Sequence, residues 1–253
     1  MSKTVFITGA TAGFGKAMAE KFAGAGYRLI ICGRRKERLE NLSAELKNKF
    51  NVEIISLSFD VRNYDEVKNA IATLSLDEKK IDVLINNAGL ASGFDFIQEG
   101  NIDDWHKMID TNIKGLLFVT REIAPLMIAR GSGHIINIGS TAAKYAYEKG
   151  NVYSATKFAV DSLSQGMRID MLKQNIRVTA IHPGAAETEF SVVRFHGDEE
   201  KAKNVYKGFE PLHAEDVADV ALYVASLPAH VCINELVMTP TAQASPYYIN
   251  RKS

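Results

Sequence analysis

TVFITGATAGFG, Thr4 to Gly15, decides the fold of this 253-residue chain. An apolar run, Val5 to Ile7, ends in a glycine-rich segment, and AMAEKFAGAGY follows with Ala17, Ala19, Phe22 and Ala23 at helical spacing. The order is strand, tight turn, helix. Glycines at 9, 13 and 15 let backbone N–H groups approach a pyrophosphate. The start of the following helix favours the negative charge through its dipole and its unpaired donors. The spacing T-G-x-x-x-G-x-G departs from the G-x-G-x-x-G dinucleotide fingerprint, so the motif cannot be read by that pattern alone.

Working outward, further apolar runs appear in RLIICGRR, LSFDV, IDVLINNAG, GHIINIGS and IRVTAIHPG, bounded by glycine or polar turns and separated by longer helical stretches. This alternation predicts an α/β fold with a parallel sheet covered on both faces, and right-handed crossovers make it doubly wound. No low-complexity tract, repeat or composition shift marks a linker, so residues 1–253 are expected to form a single domain.

With 30 basic and 30 acidic residues the formal net charge is zero, which argues against nucleic acid or membrane surfaces as partners. Met1, Ser2 and Lys3 leave no room for a signal peptide before the first strand, and no apolar stretch reaches the roughly 18 residues of a membrane span, so a soluble cytoplasmic protein is expected. The two cysteines, Cys32 and Cys232, form neither a disulfide framework nor a metal site and are expected to be buried apolar residues. The six histidines show no ligand spacing, no metal is expected, and His182 beside Pro183 is read as a packed residue.

Chemistry is announced by YSATK. Tyr153 and Lys157 stand four apart, one turn along a helix, so both side chains can reach one cavity. Tyrosine has a free pKa near 10 and becomes a base at neutral pH only where a fixed cation favours the phenolate; Lys157 is expected to be that cation. Ser140 precedes the pair by thirteen residues, at the carboxyl end of a strand, where ligands sit in such sheets.

Taken with T-G-x-x-x-G-x-G, these landmarks, the NNAG of Asn86 to Gly89 and the Asn112 of MIDTNIKG resemble the short-chain dehydrogenase/reductase family along essentially the whole chain. The resemblance implies a Rossmann-like sheet and hydride transfer to or from a nicotinamide, with Asn112, Ser140, Tyr153 and Lys157 as catalytic residues. Tyr153 would be the acid/base, Lys157 would also bond the nicotinamide ribose, Ser140 would donate to the reacting oxygen, and Asn112 would hold a water leading from Lys157 to solvent. By the same resemblance Thr8, Gly9, Thr11, Gly13, Phe14 and Gly15 would surround the pyrophosphate. Asp60 and Val61 would border the adenine, and Asn87, Ala88 and Gly89 the ribose on the adenosine side. Pro183, Gly184 and Thr188 would close over the nicotinamide, while Asn86 braces its strand.

After the second strand an NAD-preferring site usually carries a carboxylate, whereas here Gly33 is followed by Arg34 and Arg35. Guanidinium groups suit a 2′-phosphate, so NADP(H) is the expected coenzyme. The polar segment 185–212 reads as a lid over the substrate. Its wording, with PAHVCINELVMTPTAQASP, resembles the NADP-dependent 3-hydroxy acid dehydrogenases that oxidise serine, allo-threonine and related acids, a subgroup that also holds reductases of small aldehydes and semialdehydes. Such a substrate carries a carboxylate, for which Arg194 is the candidate partner beside Ser140 and Tyr153; the alternative pairs Arg194 with Glu199 or Glu200. AAETEF lacks the Leu-Val common after Pro-Gly, which alters the pocket wall.

Two rival readings are a reductase of larger ketones and a nicotinamide-binding regulatory protein, which usually loses one of the four catalytic residues. Apolar positions on more than one side of two helices (Leu116, Leu117, Val119; Phe158, Val160, Leu163), together with the resemblance, imply a homotetramer, and QASPYYINRKS is expected to cross a subunit boundary.

Overall fold

The computed structural model describes residues 2–252. The opening motif forms β1 (Thr4–Thr8), a turn and α1 (Gly13–Gly24), followed by β2 (Arg28–Gly33), α2 (Lys36–Phe50), β3 (Ile54–Ser58), α3 (Tyr64–Ala72) and β4 (Val83–Asn86). Next, α4 (Ile102–Ile109) passes through a π-helical turn, Asp110–Gly115, into α5 (Leu116–Arg130), ahead of β5 (Gly133–Ile138), α6 (Asn151–Asp170) and β6 (Ile176–Pro183). Two short helices, α7 (Glu189–Arg194) and α8 (Glu199–Asn204), precede α9 (Ala214–Ser226) and β7 (Glu235–Met238).

All seven strands pair in parallel, in the order β3-β2-β1-β4-β5-β6-β7. The period-two alternation of strand side chains sorts the core into two layers. Val5, Ile7, Leu29 and Ile31 pack with Met18 and Phe22 of α1, Leu46 of α2 and Val217 of α9. Phe6, Ile30, Leu84 and Ile135 meet Val119 and Ile123 of α5 and Val160 of α6 on the other face. Helix starts follow local chemistry: the side-chain oxygens of Asn63 and Asn101 accept the free N–H groups of Asp65 and Glu66, and of Asp103 and Asp104. Strand order reverses between β1 and β4, so the loops leaving their carboxyl ends part and open a crevice.

One expectation is corrected. Cys32 is buried, but Cys232 is only half-buried, because it lies just before the edge strand β7, with its thiol 3.6 Å from the Val178 carbonyl. The C-terminal segment also contacts its own chain: the Tyr247 hydroxyl donates to the Ala146 carbonyl at 2.8 Å, and the Arg251 guanidinium donates to the Val205 carbonyl at 3.0 Å beside α8. No helix among the described residues is long and apolar enough to cross a membrane.

Candidate active site

The crevice is a cavity of about 490 Å³, and nearly all the residues singled out in the sequence line it. At one end stand Arg34, Arg35, Asp60 and Val61; along the floor lie Gly9, Thr11, Gly13, Phe14, Asn87, Ala88 and Gly89; at the other end are Ser140, Tyr153, Lys157, Pro183, Gly184, Thr188 and Arg194. Thr8, Gly15 and Asn112 stand behind this surface, as supports.

Thr8 accepts the backbone N–H groups of Asn87 and Ala88, both at 2.9 Å, and so ties β1 to the β4 loop. Gly15 is set by close approach: a Cβ there would fall 2.2 Å from the Gly9 carbonyl oxygen. Gly9 itself adopts φ +67°, a backbone conformation that side chains other than glycine rarely take, directly under Ala88. The N-terminus of α1 has neither a side-chain cap nor an acidic residue in its first turn, which leaves its N–H groups for an anion. Basic end, glycine-rich floor and uncapped helix start together fit a phosphate-bearing dinucleotide.

Asn86 braces its strand as expected, donating to Thr120 Oγ1 and to Asn137 Oδ1, both at 2.9 Å. Asn112 lies within the π-helical turn, and its amide is committed: Oδ1 accepts from Leu90 N–H at 2.8 Å, while Nδ2 donates to the Leu90 carbonyl and to Thr156 Oγ1. It remains close to Lys157, since a Cβ on Gly89 would lie 3.3 Å from Asn112 Oδ1 and 3.5 Å from Lys157 Nζ.

Lys157 is expected to lower the Tyr153 pKa, whereas the net shift of the phenol runs upward. Lys157 Nζ donates to the Ile138 carbonyl at 2.9 Å and sits 5.9 Å from the centre of the Tyr153 ring. Burial raises the Tyr153 pKa above its ordinary value, with Tyr147 adding to this, while the Ser140 hydroxyl and the Arg194 guanidinium pull the other way. Stripped of water in the same way, the Lys157 ammonium is pushed down to about 8.

Arg194 is held inside four aromatic rings, its guanidinium carbon 5.2 Å from the Tyr153 ring centre, 5.4 Å from Phe94, 5.5 Å from Tyr147 and 5.8 Å from Phe190. It donates to the Tyr147 hydroxyl, and its Nε is buried without a hydrogen-bond partner. The pairing with Glu199 or Glu200 does not form; no carboxylate among the described residues lies within ion-pair reach of Arg194.

At the basic end, Arg34 makes only a 3.8 Å ion pair with Asp60, whose carboxylate is chelated by Arg62. Arg35 is more engaged, bonding Thr11 Oγ1 at 3.0 Å and Glu189 at 3.1 Å; Glu189 also takes Arg38 at 3.0 Å. Sequence reading missed Glu189, along with Tyr147, Phe190, Gln243, Pro246 and Ile249, all of which line the cavity. The last three come from the C-terminal segment. Gln243 Oε1 accepts from Ala185 N–H at 2.8 Å and holds the lid's first residues. Glu189 and Phe190 fall within the expected lid, and Gln243 and Pro246 within the quoted C-terminal stretch, but no spacing singled out these individual side chains.

A parallel sheet with a glycine turn after β1, and Ser140, Tyr153 and Lys157 facing one crevice, defines a class, and the short chain dehydrogenase family matches residues 3–198. The chain belongs to the short-chain dehydrogenase/reductase family of oxidoreductases. It is 46% identical, over 95% of its length and 96% of the other's, to an NADP-dependent 3-hydroxy acid dehydrogenase of Salmonella typhi. It is also 46% identical to a sulfoacetaldehyde reductase of Chromohalobacter salexigens, over 96% of both chains. Serine dehydrogenase in its closed form, complexed with NADP+, superposes with a TM-score of 0.92 at 44% identity, covering 99% of this chain and 100% of that one.

Proposed function

We propose that this protein interconverts a short 3-hydroxy acid, of the serine or 3-hydroxyisobutyrate kind, and its oxo form, using NADP(H). The observation that supports the substrate class most is Arg194, a guanidinium with no carboxylate partner among the described residues and a buried unpaired Nε, resting against Tyr153. A desolvated cation of this kind favours an anionic group that accepts in a bidentate manner. Because Arg194 lies 5.2 Å from the Tyr153 ring, only a short chain can join that anion to a carbon whose oxygen meets the phenol.

Bound coenzyme supplies or accepts the hydride. Gly9, Thr11, Gly13 and Phe14 would hold its pyrophosphate, Arg34 its 2′-phosphate, Asp60 and Val61 its adenine, and Lys157 its nicotinamide ribose. Tyr153 keeps a proton at its phenol oxygen and delivers it to the carbonyl oxygen in reduction; in oxidation the same oxygen takes the proton back. Ser140 Oγ already accepts from Ala142 N–H at 3.1 Å, so its own hydrogen is left to donate toward the substrate oxygen. Segment 185–212, with α7 and α8, acts as the substrate lid within the single domain.

A panel of L-serine, L-allo-threonine, 3-hydroxyisobutyrate and 3-hydroxypropionate with NADP, run beside uncharged bulky alcohols, tests the substrate class. Preference for the bulky alcohols would overturn it. Sulfoacetaldehyde belongs in the reductive panel, since a sulfonate offers Arg194 the same kind of anion.

Two further results follow. In reduction, kcat/KM should hold through neutral pH and fall as pH rises through about 8, where Lys157 loses its proton while the raised pKa of Tyr153 keeps the phenol protonated. A profile still level at about pH 10 would remove Lys157's charge from the mechanism. Replacement of Arg34 by Asp should weaken NADP about tenfold to hundredfold, as one charge-assisted hydrogen bond contributes about 1.5–3 kcal/mol. An unchanged NADP/NAD ratio would transfer that role to Arg35.

Cytoplasmic location and a homotetramer complete the proposal. Of the apolar positions named above, Leu117 on α5 and Phe158 on α6 remain exposed, at 37% and 44%, and would be covered by a second copy of the chain. Light scattering that returned a monomer would refute the assembly.

A further inference from the structure

We infer that His182 is a positioning residue that holds the backbone of Ser140 in register, with Asp161 fixing its ring from behind. The inference rests on the catalytic reading of Ser140 given above. His182 lies on β6 and is wholly buried; its Nδ1 stands 3.3 Å from Ser140 N and 3.2 Å from Ser140 O. The ring fills the space beside Gly139, where a Cβ would fall 2.3 Å from Nδ1. Its other nitrogen, Nε2, has no hydrogen-bond partner, and Asp161 Oδ1 faces it at 3.5 Å.

The choice of tautomer turns on what faces the other ring nitrogen, the Asp161 carboxylate. Burial first, and then the Lys144 ammonium, hold the imidazole pKa below its usual value, so the ring is neutral and carries one N–H. Placing it on Nδ1 would let the ring donate to the Ser140 carbonyl at 3.2 Å but would turn the Nε2 lone pair toward a carboxylate oxygen. Placing it on Nε2 aims the N–H at Asp161 and leaves Nδ1 to accept from Ser140 N–H. Asp161 is steadied in turn: its Oδ2 accepts from Lys144 Nζ at 2.8 Å, and Lys144 also reaches Glu235 at 2.6 Å. Ligand atoms of Asp161, His182 and Glu235 lie within 4.8 Å of one another, but the Lys144 ammonium already bridges the two carboxylates and is the cation of this cluster.

Ser140 is thereby pinned twice, its N–H by His182 and its Oγ by Ala142 N–H, and its hydroxyl hydrogen is left to donate into the cavity. Near-attack geometry is sensitive to about 1 Å, so a side chain that merely fills the volume of His182 should not suffice.

Kinetics with L-serine and NADP should show His182→Leu lowering kcat about tenfold to hundredfold with KM little changed. His182→Asn, whose amide reaches the position of Nδ1, should restore most of the rate. Asp161→Asn, at the rim and less prone to disturb folding, should also lower kcat. Neither loss should recur in a Ser140→Ala background; additive losses there would show that His182 acts on packing alone and would overturn the proposal. Side-chain nitrogen NMR of the wild-type protein reads the contact without turnover: an Nε2–H tautomer is expected, and an Nδ1–H tautomer would overturn it. If Ser140→Ala itself left kcat unchanged, or L-serine were not oxidised, the catalytic or substrate reading would fail instead, and the tautomer would still decide the contact.

Discussion

Replacement of Tyr153 by Phe is expected to lower kcat by at least about 10²-fold while the affinity for NADPH stays within a few-fold, because the positioned proton is lost and the ring is kept. The phenol is buried beside Ser140 and Arg194, and its ring packs edge-on against Phe190 at 5.5 Å, a contact that phenylalanine preserves. A folding defect is therefore not the expected cause of the loss. Titrating NADPH by its fluorescence alongside steady-state turnover separates binding from chemistry, and near-wild-type turnover would exclude Tyr153 as the acid/base. Lys157 offers a contrast. Its Nζ, on the Ile138 carbonyl beside Gly89, is placed to act on coenzyme binding as well as on rate, so a neutral replacement should damage both.

The second large effect is expected at Arg194. Arg194→Leu keeps an apolar side chain among Phe94, Tyr147, Tyr153 and Phe190 but removes the cation. For carboxylate substrates, kcat/KM should fall by about 10²-fold or more, as two charge-assisted hydrogen bonds of about 1.5–3 kcal/mol each are lost. An uncharged alcohol or carbonyl of similar length should be turned over as before. Arg194→Lys should not rescue the acids fully, since an ammonium lacks the planar fork and stacks poorly in an aromatic box. Equal losses for charged and uncharged substrates would mean that Arg194 only holds segment 185–212 in place, through its side-chain contacts with Phe94, Tyr147, Tyr153 and Phe190.

Much of this molecule is legible along the chain. T-G-x-x-x-G-x-G forces a strand, a tight turn and a helix, because a Cβ at Gly15 would collide with the backbone two turns of sequence earlier, at Gly9. Short apolar runs between helical stretches make a parallel sheet, and the period of each run decides which layer its side chains enter. The spacing of the proposed catalytic residues is local as well: Tyr153 and Lys157 share a helix, and Ser140 follows β5 by two residues. Arg34 and Arg35 after β2 state a preference for a phosphate through their charge alone.

Other properties depend on residues far apart in the chain, and there only the tertiary structure decides. Arg35 and Glu189 are 154 positions apart, and Arg194 meets Tyr147 across 47; no period or motif links such pairs, since their approach depends on how the lid lies over the sheet. Whether Arg194 pairs with Glu199, Glu200 or no carboxylate was open in the sequence and is settled by its enclosure among aromatic rings. The sign of the Tyr153 shift was likewise invisible, because spacing predicts which groups share a helix face but not how much water surrounds them. Burial outweighs the neighbouring charges, and burial is a property of the folded chain as a whole.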